Sequence, residues 1–237
     1  MKWPKDFAEA GAIQEKMRGR VRIIPLKKIP SYIAGVDAAF RGNKVIAAAC
    51  LYTFPQLNYM EDSVEVRECS FPYVPGYLTF REGPAIVAAV RKLKKRPDML
   101  LVDGQGIAHP KGIGIASHLG VLLNMPSIGC AKSRLIGEYD EPAIQKGAWS
   151  YLRFHDMTVG IALRTRSGVK PVFVSPGHRT DLACSIMIVM ACIAKFRIPE
   201  PIRKADILSK QLKRELFGEN YSSMFHVEHK FLKREKK

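Results

Sequence analysis

Three carboxylates sit where their neighbours make them conspicuous. Asp37 lies in the apolar run Ile33-Ala34-Gly35-Val36-Asp37-Ala38-Ala39-Phe40, where an ionised group is costly unless it is paired or bound to a cation. Asp103 follows the apolar stretch Met99 to Val102 and precedes Gly104-Gln105-Gly106, which places it at the C-terminal end of a strand, where open α/β sheets gather their ligands. Glu82, in Phe80-Arg81-Glu82-Gly83-Pro84, falls at the start of a helix, where the dipole alone accommodates a carboxylate. Taken singly, each has a plainer reading: a solvent-facing Asp on an amphipathic strand, a turn cap, a helix-start acid. Brought together at one edge of a mixed sheet, they form a divalent-cation site. Hard oxygen donors on a basic surface suit Mg²⁺ holding a phosphate, with waters and phosphate oxygens completing its shell.

The charge of the chain supports a phosphate-bearing partner. Thirty-eight Lys and Arg against 22 Asp and Glu leave +16, of which +6 falls from Lys195 onward and +10 before it. An excess spread in this way needs a polyanion or an anionic membrane surface to offset its self-repulsion. The longest uncharged apolar stretch, Leu182 to Ala194, is shorter than the roughly 20 residues that a bilayer crossing takes. It is read as a buried helix. Met1-Lys2-Trp3-Pro4-Lys5-Asp6 lacks the apolar core of a signal peptide, so the expectation is a cytoplasmic protein without a membrane partner. With 47% hydrophobic and 25% charged residues, disordered and fibrous classes are excluded. Cys50, Cys69, Cys130, Cys184 and Cys192 are odd in number, show no CxxC spacing and are expected to be reduced core thiols.

The elements that must carry the carboxylates follow from periodicity. Phe7, Ala10, Ile13 and Met17 give a helix over Asp6 to Arg18. Tyr32 to Phe40, Val45 to Phe54 and Ser63 to Ser70 form three strands, joined by short connections into an antiparallel meander. A helix from about Gly83 to Lys95, the strand Met99 to Val102, a helix from Ile115 to Leu123 and the strand Ser127 to Cys130 then alternate, which implies parallel pairing. Thr158 to Arg164 and Val172 to Val174 suggest a late hairpin around Ser167-Gly168. Asp181 is a candidate N-cap for the buried helix, and a last helix runs from about Ile202 to Phe217. The expectation is an α/β fold with a mixed central sheet, its first three strands antiparallel and helices flanking it. One domain spans residues 1 to 217, followed by a basic extension over 218 to 237.

Several longer segments share a resemblance. Ile33-Ala34-Gly35-Val36-Asp37, Pro72-Tyr73-Val74-Pro75-Gly76-Tyr77-Leu78-Thr79-Phe80-Arg81-Glu82, Val102-Asp103-Gly104-Gln105-Gly106-Ile107-Ala108-His109-Pro110 and Gly129-Cys130-Ala131-Lys132-Ser133-Arg134-Leu135 resemble the signature blocks of the endonuclease V family, in order. Ser175-Pro176-Gly177-His178-Arg179 and Arg197-Ile198-Pro199-Glu200-Pro201-Ile202-Arg203-Lys204-Ala205-Asp206 continue the match.

The resemblance implies a ribonuclease H-like fold and Mg²⁺-dependent hydrolysis of nucleic acid at deaminated purine, with Mn²⁺ as a substitute metal. Cleavage falls at the second phosphodiester 3′ to inosine or deoxyinosine and leaves 3′-hydroxyl and 5′-phosphate ends. It places the family's metal carboxylates on Asp37, Glu82 and Asp103 and its additional acid on Asp206, which the residue pattern alone reads as a helix-surface acid. Lys132 becomes the group that orients water or neutralises the phosphate, in place of an ordinary surface lysine. His109 lies near the nucleic-acid backbone, the alternative being a loop-capping histidine. His118 and His178 are read as structural.

Base recognition is assigned the same way. An inosine must leave the stack to be inspected, and Tyr73, set between Pro72 and Val74-Pro75, suits a wedge that replaces the lost stacking. A core tyrosine in a rigid turn is the alternative. Gly76, Leu78, Gly104, Gly114 and Ile115 correspond to the pocket lining. The expected partner is inosine-containing nucleic acid bound by a monomer. A catalytically inactive binding protein of the same fold is the rival, and the presence of all three carboxylates argues against it. A glycosylase would instead release free base and leave the backbone intact.

Overall fold

The computed structural model describes residues 3–69 and 71–218, so the expected basic extension lies, beyond Gly218, outside the described residues. β1 (Tyr32–Arg41), β2 (Lys44–Thr53) and β3 (Tyr59–Glu68) form the antiparallel meander. β4 (Met99–Val102) pairs in parallel with β1, and β5 (Ser127–Ala131) in parallel with β4. β6 (Trp149–Phe154) and β7 (Met157–Leu163) make a hairpin, and β8 (Val172–His178) joins β7 to β5 by antiparallel pairing on both sides. The result is one eight-stranded mixed sheet, β3-β2-β1-β4-β5-β8-β7-β6.

Helices α1 (Phe7–Arg18), α2 (Leu78–Lys92), α3 (Ile115–Leu123), α4 (Leu182–Ala191) and α5 (Glu200–Phe217) surround it. On one face Ala34 and Val36 of β1 and Leu100 and Val102 of β4 pack with Ile86 and Val90 of α2 and Leu119 of α3. On the other, Ile33, Met99, Leu101, Ile128 and Cys130 pack with Ile188 and Val189 of α4 and Ile202 of α5. Successive strand side chains point to opposite faces. Continuing the second set by steps of two leads to Asp37, Asp103 and Lys132, so strand parity alone aims all three toward the α5 face. Gly35 lets α5 close on that face: a Cβ there would overlap the backbone of Pro201.

β3 starts at Tyr59, four residues before Ser63, and β8 runs to His178, beyond Val174; larger departures fall at three other elements. α2 begins at Leu78, five residues before the Gly83 start, because it runs through Pro84 and its N-cap Tyr77 offers no side-chain capping bond to mark the beginning. Glu82 therefore sits in the second turn of α2, not at its N-terminus. β6 carries no readable alternation, since Leu152 is its one fully buried residue. α4 is N-capped by Asp181 as expected but buries a single face, Ser185, Ile188 and Val189, and leaves Met187 exposed. The five thiols are free; Cys50, Cys130 and Cys192 are buried, while Cys69 and Cys184 are half-buried.

Candidate active site

Asp37 from β1, Asp103 from the end of β4 and Asp206 from the second turn of α5 each bring a carboxylate oxygen within 4.8 Å of the other two. Lys132, just past β5, bridges two of them, its Nζ 2.5 Å from Asp103 Oδ2 and 2.7 Å from Asp206 Oδ1. One turn further along α5, Lys210 donates to both Asp206 oxygens at 2.8 Å. Burial would raise the Asp206 carboxyl, yet the hydrogen bonds from Lys132 and Lys210 hold it below the usual range. Burial opposes the Lys132 ammonium, but its bonds to Asp103 and Asp206 keep its pKa above the ordinary lysine value.

Asp37 lacks such neutralisation. Its side chain accepts one hydrogen bond, from Ser209 Oγ at 3.2 Å. Burial first, then repulsion from Asp103 and Asp206, push its pKa up to about 7 against the pull of Lys132 and Ser209. Glu82 is 9% exposed on α2 and stands outside the 4.8 Å group. Burial, then Asp37 and Asp103, raise it well above the carboxylate range, so it feels the cluster without belonging to its tightest part. Hard oxygen donors, with a member that forms no ion pair among the described residues, fit a hard divalent cation.

Beside the carboxylates lies a cavity of ≈ 380 Å³. Tyr73, Gly76, Leu78, Gly104, His109, Gly114 and Ile115 all line it, as do Asp103 and Lys132. Tyr73 is 69% exposed, which rules out the core-tyrosine alternative. The Arg81 guanidinium lies 4.7 Å from the Phe40 ring centroid and 5.9 Å from that of Tyr73, and donates to the Phe71 carbonyl at 2.7 Å. Gly76 adopts φ +84°, a conformation that favours glycine. Its carbonyl accepts from Gln14 Nε2 at 2.6 Å and lies 3.1 Å from His109 Nε2. His109 Nδ1 accepts from the Lys111 amide at 3.1 Å, so Nε2 carries the proton and donates to Gly76. Both ring nitrogens are thus engaged with backbone, and burial lowers the pKa to about 4, which keeps the ring neutral.

Residues that the sequence reading passed over complete the arrangement: Ser209 and Lys210, Gln14 and Arg81, and Gly35. Ser209 and Lys210 stand three and four residues after Asp206, the spacing that shares a helix face. That signal was available once Asp206 was suspected. Gln14 gives no local signal, because its partner Gly76 is 62 residues away.

An antiparallel meander leading into parallel strands, with Asp37 inside β1, Asp103 just past β4 and Asp206 on the last described helix brought together, defines a nuclease of ribonuclease H-like architecture. Comparison with known proteins narrows the class. The family model for endonuclease V matches residues 15–207. Endonuclease V of Roseiflexus castenholzii is 49% identical over 209 residues, 88% of this chain and 94% of that protein. The crystal structure of endonuclease V from Streptomyces avermitilis superposes with a TM-score of 0.86 at 42% identity, covering 90% of this chain and 96% of that one. Ciona intestinalis endonuclease V, solved with a 24mer DNA containing an inosine followed by a ribo-adenosine, gives 0.78 at 29% identity, over 88% of this chain and 98% of that one. The chain belongs to the endonuclease V family and is a phosphodiester hydrolase. No helix among the described residues is long and apolar enough to cross a membrane.

Proposed function

We propose that residues 1–217 form a Mg²⁺-dependent repair endonuclease that recognises inosine or deoxyinosine in DNA or RNA. It hydrolyses the second phosphodiester 3′ to the lesion and leaves 3′-hydroxyl and 5′-phosphate ends. The observation that carries this reading is the junction of the carboxylate cluster with the cavity through Asp103, which belongs to both, and Lys132, which lines the cavity and bridges Asp103 and Asp206. Mg²⁺ bound there supplies positive charge for the phosphate oxygens and makes water a stronger acid.

Asp37 and Asp103 would hold the ion, with Asp206 in the same tight group and Glu82 facing it from α2; Mg²⁺ usually takes one or two carboxylates. Lys132 offsets charge on the scissile phosphate from the Asp103–Asp206 side. Tyr73 fills the stack vacated by the extruded base. Gly76, Leu78, Gly104, Gly114 and Ile115 enclose that base, and His109 fixes the Gly76 carbonyl.

Matched DNA and RNA oligonucleotides carrying one inosine, incubated with and without Mg²⁺, test the reading by mapping the product ends. Strand scission two linkages from the inosine, dependent on the metal, is expected. Release of free base with an intact backbone would discard it in favour of a glycosylase. Binding without scission would favour the inactive binding protein.

A further inference from the structure

The cations behind the +16 charge are matched differently at the two ends of the sheet. At the cleavage end, Lys132 and Lys210 are tied to Asp103 and Asp206. At the opposite end, where β1, β4 and β5 begin and β8 finishes, two adjoining concavities of ≈ 460 and ≈ 610 Å³ share Lys28, Asp98 and Pro126. Arg22, Lys27, Lys28, Lys95, Arg96 and Arg179 line them, and all six are exposed. Among the described residues, none of the six forms an ion pair. Asp98 is the one acid in either lining, and its Oδ2 already accepts the Ser31 and Tyr32 amides at 2.9 and 3.0 Å.

The backbone fixes this arrangement. Arg179 takes φ +51°, which a side chain of its size seldom adopts. Its amide donates to the Arg22 carbonyl at 2.6 Å, while the Arg22 amide donates to His178 Nδ1 at 3.2 Å. The segment before β1 is thereby pinned to the end of β8. Burial first, then the fields of Arg179, Arg22 and Arg20, lower the His178 pKa to about 4. The segment Ser175 to Arg179 divides between the two ends. Ser175 Oγ accepts the Gly106 amide beside the cleft at 2.7 Å, whereas Arg179 faces the distal concavity.

We propose that this end is a second phosphate-backbone site, which holds nucleic acid outside the cleavage cleft without reading its sequence. Unpaired Lys and Arg on a concave surface suit phosphates as a class. The four residues of β4 set the two ends roughly 13 Å apart along the strand direction, within reach of a strand that leaves the cleft. The inference rests on the chain's being a nuclease and adds a site that cleavage itself does not use.

The test compares wild type with the variant Lys27→Gln/Lys28→Gln/Lys95→Gln/Arg96→Gln, its fold verified by melting temperature. On a long undamaged duplex, the slope of log affinity against log salt is expected to be shallower by about 3–4, near 0.9 for each charge removed. Cleavage of the shortest inosine strand that wild type still cuts should be unchanged at saturation. An unchanged slope in the folded variant overturns the proposal. So does a loss of cleavage on the short strand in proportion to the loss on the duplex, because the charges would then serve the cleft. Wild-type binding to phosphatidylserine vesicles that the variant loses, with the duplex slope unmoved, would also overturn it and assign the surface to a membrane. If wild type cuts no inosine strand, the proposed substrate fails, while the duplex slope still decides this site.

Discussion

Among the three clustered carboxylates, Asp37 is the one without an ion pair among the described residues, and a cation held by it gains most from that. Asp206 is satisfied by Lys132 and Lys210, whereas Asp37 is raised to about 7 by burial and by its acidic neighbours. Asp37→Asn removes a charge the fold tolerates poorly, so melting temperature should hold or rise while cleavage falls by at least about 10³-fold. Glu82 stands outside the tight group, and Glu82→Gln should cost about 10–100-fold, as outer-shell changes do. Single-turnover cleavage across a Mg²⁺ titration separates the two. Equal losses in both variants would place Glu82 among the innermost ligands. Tyr73 separates in another way: it is 69% exposed, so truncation should leave stability within about 0.5 kcal/mol. Tyr73→Ala should lose about 1–3 kcal/mol of affinity for inosine strands, and Tyr73→Phe should keep it. A matched loss in the phenylalanine variant would move recognition from the ring to the hydroxyl.

The cluster exists because one helix is allowed to approach one strand. Ile33, Gly35 and Asp37 share a face of β1, and the missing side chain at Gly35 lets the start of α5 lie against the backbone at Pro201 and Ile202. Asp206 follows within a helical turn. Gly35→Ala should push α5 outward, with a cost of about 1–3 kcal/mol from overpacking and a loss of Mg²⁺-dependent cleavage larger than the stability change explains. Full activity in a destabilised variant would show that the α5 position does not set the site. This dependence also marks what the sequence could reveal. The meander, β4, α3 and the late hairpin were legible from alternation and turn residues, and Asp37 and Asp103 from charge placed against apolar runs. Strand parity, applied to Ile33, Met99 and Ile128, even gives the face. What the residue pattern alone did not show is tertiary: Asp206, named only through the family resemblance, joins Asp37 across 169 positions of sequence, and Gln14 meets Gly76 across 62. α2 hid its start because an uncapped Tyr77 and an internal Pro84 remove both usual boundary marks.

For the molecule as a whole, the same burial that shapes the site sets opposing responses to pH. His118 is fully buried, packs edge-on to Phe80 at 5.4 Å between centroids and, among the described residues, finds no hydrogen-bond partner for either ring nitrogen. Burial, with His109 nearby, lowers its pKa to about 4, and burial does the same to His109. A folded-state pKa below the unfolded value of about 6.5 means that the unfolded chain takes up the proton first. The stability from each neutral histidine is complete above about pH 6.5 and lost as pH falls toward 4. Asp37 and Glu82 act in the other direction. Their folded-state pKa values are raised, so their contribution is complete below the ordinary carboxylate range and lost as pH rises above it, for Asp37 up to about 7, unless a cation offsets their charge. The two responses offset one another between about pH 4 and 6.5, and above that range only the carboxylate loss continues, so Mg²⁺ should raise the melting temperature of the metal-free protein more at pH 8 than at pH 5. His118→Leu isolates the acid limb. It replaces an unsatisfied buried ring with an apolar side chain, so it should leave stability at pH 7 unchanged or improved. It should also recover roughly 2–3 kcal/mol of the loss between pH 6.5 and 4. Urea unfolding of both proteins across that range measures the difference, and parallel curves would remove His118 as the source of acid sensitivity.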